Sequence, residues 1–204
     1  MNNSALDYIL IVLISYAIGN INPAILLGKL KGIDIRKEGS GNAGMTNTMR
    51  VMGLGYGLLV FAIDLLKGFI AVKIGAHFGA DTGAMLGLAF VILGHCFPAL
   101  HGFKGGKGVA AGFGALIALS WQSALISLGV AAICLLLFRR MSVASMGGII
   151  AFPVAIHFYA PQYFYFSIGV AIFLLFMHRE NIKRLIAGEE AAFTIKKNKK
   201  DADD

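Results

Sequence analysis

Long apolar blocks fill most of this chain, and three polar, glycine-rich clusters interrupt them. A helix rises about 1.5 Å per residue and the hydrocarbon core is about 30 Å thick, so a block of roughly 20 apolar residues spans it. Residues 6 to about 30, 53 to 75, and about 83 to 100 read as three such helices, the last two joined by a short turn from His77 to Asp81. The stretch 108–138 is too long for one untilted crossing, about 46 Å as a single helix. One crossing would set Arg139 and Arg140 across the membrane from Lys104 and Lys107. A turn near Ser120-Trp121-Gln122-Ser123 returns both pairs to one side, with Trp121 at the far interface. Residues from about 142 to 159 and from 162 to 177 form a last hairpin, broken at Ala160-Pro161. The pattern predicts an all-α polytopic membrane protein with seven transmembrane helices, several of them short. Its N-terminus lies outside and its C-terminus in the cytoplasm.

Composition supports that class. The chain has 204 residues, of which 57% are hydrophobic and only 14% charged, and its mean hydropathy is +0.75. That is too apolar for a soluble domain and too short for two large ones. Residues 1–195 are expected to form one integral membrane domain, and the charged tail 196–204 to be a solvated, disordered cytoplasmic end. No Lys or Arg precedes the first apolar block and no small-residue cleavage site follows it, so that block is expected to stay as a helix.

The net charge of +7 does not imply nucleic acid, because the basic residues flank apolar segments and form no stripe with interleaved aromatics. Membrane orientation explains them. All the Lys and Arg except Lys67 and Lys73 fall on the predicted cytoplasmic side, where they also favour anionic headgroups and anionic substrates. Cys96 and Cys134 sit in apolar surroundings and predict no disulfide framework.

All three polar clusters fall on that same cytoplasmic side. The first is Ser40-Gly41-Asn42-Ala43-Gly44-Met45-Thr46-Asn47-Thr48-Met49-Arg50. Its glycines let backbone N–H groups turn toward one point, Ser40 and Thr46 add hydroxyls, and Arg50 can grip an oxyanion with two N–H groups. A helix starting near Thr46 would add its positive end. Spacing alone fits a polar turn capping the second span equally well, and the Walker spacing is absent. The second cluster, His95-Cys96-Phe97-Pro98 followed by Phe103-Lys104-Gly105-Gly106-Lys107-Gly108, sets two ammonium groups around a backbone that a ligand can approach closely. An ordinary basic cytoplasmic loop has the same charge. In the third, His178-Arg179-Glu180-Asn181-Ile182-Lys183-Arg184-Leu185, helical spacing puts His178 and Asn181 on one face, and Arg179 and Lys183 on another. One face can address a ligand and the other headgroups, although juxtamembrane basic segments are common in any case. Asp64 and Lys67, three apart within a span, are expected to pair with each other in a structural or supporting role.

Taken together these segments resemble the bacterial acyl-phosphate:glycerol-3-phosphate acyltransferases, the PlsY family. The Ser-Gly-Asn-x-Gly-x-Thr-Asn-x-x-Arg segment, the His-x-x-Pro with Phe-Lys-Gly-Gly-Lys-Gly-Val-Ala, and the His-Arg-x-Asn-Ile-x-Arg-Leu exit match its three signature motifs in order. The likeness runs from the first span to Glu189 and includes Asp64-Leu65-Leu66-Lys67-Gly68 and Ser142-Val143-Ala144-Ser145. Met45 departs from it, since the family commonly has a smaller residue there.

The resemblance implies transfer of a fatty acyl group from acyl phosphate to the 1-hydroxyl of sn-glycerol 3-phosphate at the bacterial cell membrane. The products are lysophosphatidic acid and phosphate. It also implies a separate, soluble phosphate acyltransferase that supplies the donor, membrane lipids as surroundings, and no cofactor or metal. On this reading Ser40, Gly41, Asn42, Gly44, Thr46 and Asn47 hold the acyl-phosphate group. Arg50, Lys104 and Lys107 compensate charge, while Ser145, His178 and Asn181 orient glycerol 3-phosphate with Arg179 in support. Neither His95 nor His178 begins a His-x4-Asp pair, since Leu100 and Lys183 stand at that offset, which favours a substrate phosphate over a histidine as proton acceptor. The rival reading is a small anion transporter or channel with a basic cytoplasmic mouth. It would need polar groups at mid-membrane depth and access from outside.

Overall fold

The computed structural model describes residues 4–193, and the predicted tail 196–204 lies outside them. The described residues form α-helices joined by short loops and two 3-10 turns, with no strand among them. Helix α1 (Ala5–Asn20) begins with a reciprocal cap in which the Ser4 hydroxyl accepts from the Asp7 N–H, and the Asp7 carboxylate accepts from the Ser4 N–H. The first predicted span is not one helix. It breaks at Ile21-Asn22, where the Asn22 side chain caps α2 (Pro23–Leu30) and Pro23 supplies the first helical position.

After a loop come α3 (Met45–Met52) and α4 (Leu54–Cys96). The turn expected over His77–Asp81 shrinks to a break at one residue, Ala80, at φ 49° and ψ −139°, which divides α4 into limbs 54–79 and 81–96. The second limb ends at Cys96, short of the expected boundary at Leu100, and a 3-10 turn at Ala99–His101 follows.

Helices α5 (Val109–Leu119) and α6 (Trp121–Phe138) meet at Ser120, the predicted turn, where the Ser120 hydroxyl accepts from the Ser123 N–H. Helix α7 (Met141–Tyr159) starts without a side-chain cap, so Ser142 lies inside it and does not cap it. The 3-10 turn at Pro161–Tyr163 leads to α8 (Phe164–Met177), which meets α9 (Arg179–Ile186) at a bend of 56°. Among the described residues three helical stretches are long and apolar enough to cross a membrane: Ala5–Leu30, Trp121–Phe138 and Met141–Tyr159. The bent pair Pro161–Met177 and Arg179–Ile186 makes a fourth if taken as one span.

Among helices surrounded by lipid, apolar side chains gain little by leaving it, so close backbone approach dominates packing. Glycines supply that approach here. A Cβ on Gly68 would overlap the Ala111 carbonyl and one on Gly114 the Leu65 carbonyl, where α4 crosses α5. Gly75 and Gly83 likewise press the two limbs of α4 together, and Gly19 and Gly94 join α1 to the second limb. The core lies between these limbs, α5, α7 and α8, around Leu88, Ile92, Leu116, Phe152 and Leu174. This arrangement brings the loops before α3 and α5 and the chain after α8 to one end of the bundle.

Candidate active site

At that end the loop preceding α3 is held from within. Gly39 and Gly41 adopt φ of 59° and 71°, turning the chain sharply. The buried Asn47 amide spans the turn: its oxygen accepts from the Ser40 N–H at 2.8 Å, and its nitrogen donates to the Ile35 and Glu38 carbonyls, each at 3.0 Å. Although Asn47 borders the cavity, these bonds use its polar atoms to shape the loop. That differs from the direct acyl-phosphate contact expected of it. Asn22 donates to the Ala43 carbonyl at 3.3 Å, tying the same loop to the break between α1 and α2. Helix α3 then starts at Met45, beside the expected Thr46, with no side chain on its N-terminal N–H groups. Its positive end is available to an anion.

The second loop lies against the first. The Gly105 and Gly106 N–H groups donate to the Cys96 and His95 carbonyls, each at 3.1 Å. A Cβ on Gly106 would overlap His95 Nε2 and crowd the Ala43 carbonyl, so this glycine serves the contact between the two loops. Arg36 donates to the His101 carbonyl at 3.0 Å and binds Asp34 at 3.0 Å, a second tie between them.

A cavity of about 670 Å³ opens at this junction and runs into the bundle. At its polar end stand Ser40, Asn42, Gly44, Thr46 and Arg50 from the first cluster, and Lys107 from the second. Ser145, His178 and Asn181 join them from α7 and the start of α9. Its inner walls are apolar, including Phe61, Ile92, Phe113, Leu116 and Phe152. Three predicted residues are not brought to it. Gly41 shapes the loop behind the wall, with its N–H on the Glu38 carbonyl at 2.9 Å. Lys104 is exposed on its loop. Arg179 is half exposed, stacked 4.6 Å over the Phe176 ring and donating to the Phe176 carbonyl at 3.3 Å. Arg179 and Asn181 lie two residues apart in α9, so helical spacing sets them on different faces.

The other side of the polar end holds a network that sequence reasoning missed. Lys107 Nζ donates to the Asn181 amide oxygen, the Asn181 nitrogen donates to Glu190 at 2.8 Å, and Arg184 binds the other Glu190 oxygen at 2.8 Å. Arg184 was legible, being three residues beyond Asn181 as Asn181 is beyond His178. Glu190 follows Gly188 outside any helix and gave no local signal. Its segment is strapped across the site, with the Glu190 carbonyl accepting from Arg140 at 3.1 Å and the Phe193 N–H donating to the Arg139 carbonyl at 2.7 Å.

These surroundings set the charges. Burial, then the neighbouring Arg184, lowers the Lys107 pKa to about 8, partly offset by Glu190. Burial raises the Glu190 carboxyl, but Ser142, Asn181 and Arg184 together outweigh it and hold it below its usual value. The Ser142 hydroxyl favours the ionised form by proximity while missing hydrogen-bond geometry. Burial drives His178 down to about 4, against the Leu174 carbonyl that supports its proton, and Lys107 adds to the lowering. Because His178 Nδ1 lies 2.8 Å from that carbonyl, Nδ1 carries the proton and Nε2 offers a lone pair. Among the described residues no three His, Cys, Asp or Glu side chains cluster to hold a metal ion.

Comparison with known proteins agrees with this geometry. A family model described as glycerol-3-phosphate acyltransferase matches residues 9–188. The glycerol-3-phosphate acyltransferase of Thermoanaerobacter pseudethanolicus is 42% identical over 186 residues, covering 90% of this chain and 94% of its own. That of Prochlorococcus marinus strain MIT 9215 is 43% identical over 190 residues, covering 90% and 96%. A crystal structure of PlsY, an integral membrane glycerol 3-phosphate acyltransferase, in its glycerol 3-phosphate form superposes with a TM-score of 0.87 at 36% identity, over 92% of this chain and 96% of that one. Its lysophosphatidic acid form gives 0.85 at 35% over the same shares. With the family model, the curated relatives and the solved structures in agreement, the chain belongs to the PlsY family of integral membrane glycerol-3-phosphate acyltransferases.

Proposed function

We propose that this protein transfers a fatty acyl group from acyl phosphate to the 1-hydroxyl of sn-glycerol 3-phosphate. The observation that carries this reading is the cavity itself, which holds Arg50, Lys107 and Arg184 with N–H donors and the Glu190 carboxylate at one end and is apolar along its length. That division suits a long acyl chain with a phosphate head. The glycerol oxygen attacks the acyl carbon, the bond from that carbon to the phosphate oxygen breaks, and inorganic phosphate leaves with its electron pair. Acyl phosphate is a mixed anhydride with a good leaving group. Catalysis therefore consists of holding two anions together and neutralising charge as it develops.

In this scheme Ser40, Asn42, Gly44, Thr46 and the first N–H groups of α3 cradle the acyl-phosphate head, supported by the turn at Gly41 and by Asn47 behind it. Arg50 and Lys107 compensate charge on both substrates, and Lys104 and Arg179 attract them from the rim. Ser145 and Asn181 orient glycerol 3-phosphate, and His178 Nε2 accepts a hydrogen bond from the attacking hydroxyl. A histidine held near 4 is a weak base. A phosphate oxygen, with a second pKa of about 6 for a phosphomonoester, takes the proton more readily.

The topology belongs to the same proposal: seven crossings, with the second limb of α4, α5 and α8 as the shorter ones, the N-terminus outside, and the site facing the cytoplasm of a bacterial cell. The charge bias supports it. The donor then comes from a soluble phosphate acyltransferase on that side.

Purified protein supplied with acyl phosphate and glycerol 3-phosphate should release lysophosphatidic acid and phosphate, and acyl-CoA should give none. Product from acyl-CoA alone overturns the donor assignment.

A further inference from the structure

In the wall of the same cavity lies a second cluster of ionisable groups, almost closed to solvent: Asp64 at 1% exposure, Lys67 at 5% and His95 at 3%. The expected pair of Asp64 and Lys67 is there at 2.7 Å, but it has a third member and two backbone partners. Lys67 Nζ also stands 2.8 Å from His95 Nδ1, 2.7 Å from the Ile21 carbonyl and 3.2 Å from the Gly19 carbonyl. The lysine thus joins the break between α1 and α2 to the end of α4. His95 in turn carries the Gly105-Gly106 turn on its carbonyl and against its ring, and that turn leads into Lys107.

The geometry points to a definite protonation pattern. An ammonium group has only N–H to offer, so the ring nitrogen 2.8 Å away presents a lone pair, and the imidazole proton sits on Nε2. Asp64 Oδ1 is farther from Nδ1, at 3.3 Å; it pairs with the Lys67 charge at 2.7 Å without hydrogen-bond geometry, since the lysine N–H groups go to the Gly19 and Ile21 carbonyls and to Nδ1. Among the described residues His95 Nε2 has no hydrogen-bond partner, and it lies where the ring meets Gly106 at the cavity wall.

We propose that Asp64, Lys67 and His95 are positioning residues for the reaction: Lys67 takes the lone pair of His95 Nδ1 and so fixes the ring proton on Nε2, and the locked ring sets the turn that delivers Lys107 to the phosphates. This deepens the acyl-transfer reading and rests on it for its kinetic consequence. The protonation pattern does not depend on that reading.

The test uses the full chain in lipid nanodiscs with ¹⁵N-labelled histidine, the His95 signals being assigned by their absence from a His95→Gln variant. We expect one non-protonated Nδ1 and one protonated Nε2. In Lys67→Met the signals should move to a mixture of tautomers. The KM for a phosphate-bearing substrate should then rise about tenfold or more, with kcat falling less, while Lys67→Arg, which keeps a cation and several donors, recovers part of the loss. A wild-type His95 that carries its proton on Nδ1 overturns the proposal. So does a Lys67→Met protein with unchanged spectrum and KM. The wild-type spectrum does not involve Lys67→Met, so misfolding of that variant leaves the proposal decidable. A correct spectrum in a protein inactive with acyl phosphate would count against the reaction assigned above and not against the triad.

Discussion

Lys107 combines the two demands of an anion site inside a membrane protein: it must carry charge, and it must sit where charge is disfavoured. Its pKa of about 8 reflects burial first and Arg184 second. A lysine with a lowered value is cationic below it and neutral above it, so attraction for an anionic substrate fades as pH rises through about 8. The KM for glycerol 3-phosphate should therefore climb between about pH 7 and pH 9, whereas Lys107→Arg should stay flat because a guanidinium keeps its proton throughout. Steady-state kinetics at the two pH values check this, and equal climbs would remove Lys107 from substrate binding. His178 makes the complementary case. Held near 4, it is neutral through the working range, so an acid limb of kcat/KM near about 6 belongs to a substrate phosphate and should persist in His178→Gln. Disappearance of that limb in the variant would make His178 the base. Asn47 and Asn181 carry the lesson of this scale. Both are amides inside signature motifs, yet one is committed to its own loop and the other reaches Lys107 and Glu190. Residue type and spacing do not distinguish these roles, because an amide's partners are chosen by which backbone passes it.

At the level of elements, most breaks carry local chemistry and were readable. Ser120 caps α6, and Pro161 opens the turn before α8. Asn22-Pro23 had the same character, a capping amide followed by proline, but the apolar run on both sides concealed it. The break in α4 is of another kind. Ala80 has no turn residue's character and stands at a positive φ that glycine adopts at little strain. It is held there by the close approach of Gly75 and Gly83 and by the bond from the Tyr163 hydroxyl to Asp81. Ala80→Gly should therefore relieve strain and stabilise the fold by about 1 kcal/mol, after the loss of backbone entropy is counted. Thermal unfolding in detergent measures it, and a lowered midpoint would contradict the strain.

Over the whole molecule, the site depends on helices whose backbones nearly touch. Gly114 lies against the Leu65 carbonyl at the crossing of α4 and α5, so Gly114→Val has no side chain to push aside, only backbone. We expect a loss of several kcal/mol, in the upper range for overpacking, seen as poor yield of folded protein. An equivalent change at Gly129, where a Cβ meets open space, should leave the yield unaltered. The same packing bears on the transporter alternative. The intramembrane charges Asp64 and Lys67 are bound to each other, to His95 and to backbone carbonyls, and they brace the loops.

Helical class, the apolar segments, most of the breaks and the identity of the three motifs could all be read from the chain, because each depends on hydrophobicity, caps and spacing within a few neighbouring residues. That the motifs converge on one cavity, that Lys104 and Arg179 stay outside its wall, and that Arg184 and Glu190 enter its network emerged only from the packed helices. The reason is one of range. A local pattern sets what a segment is, but the direction of a side chain and the backbone it meets are set by contacts between segments far apart in sequence.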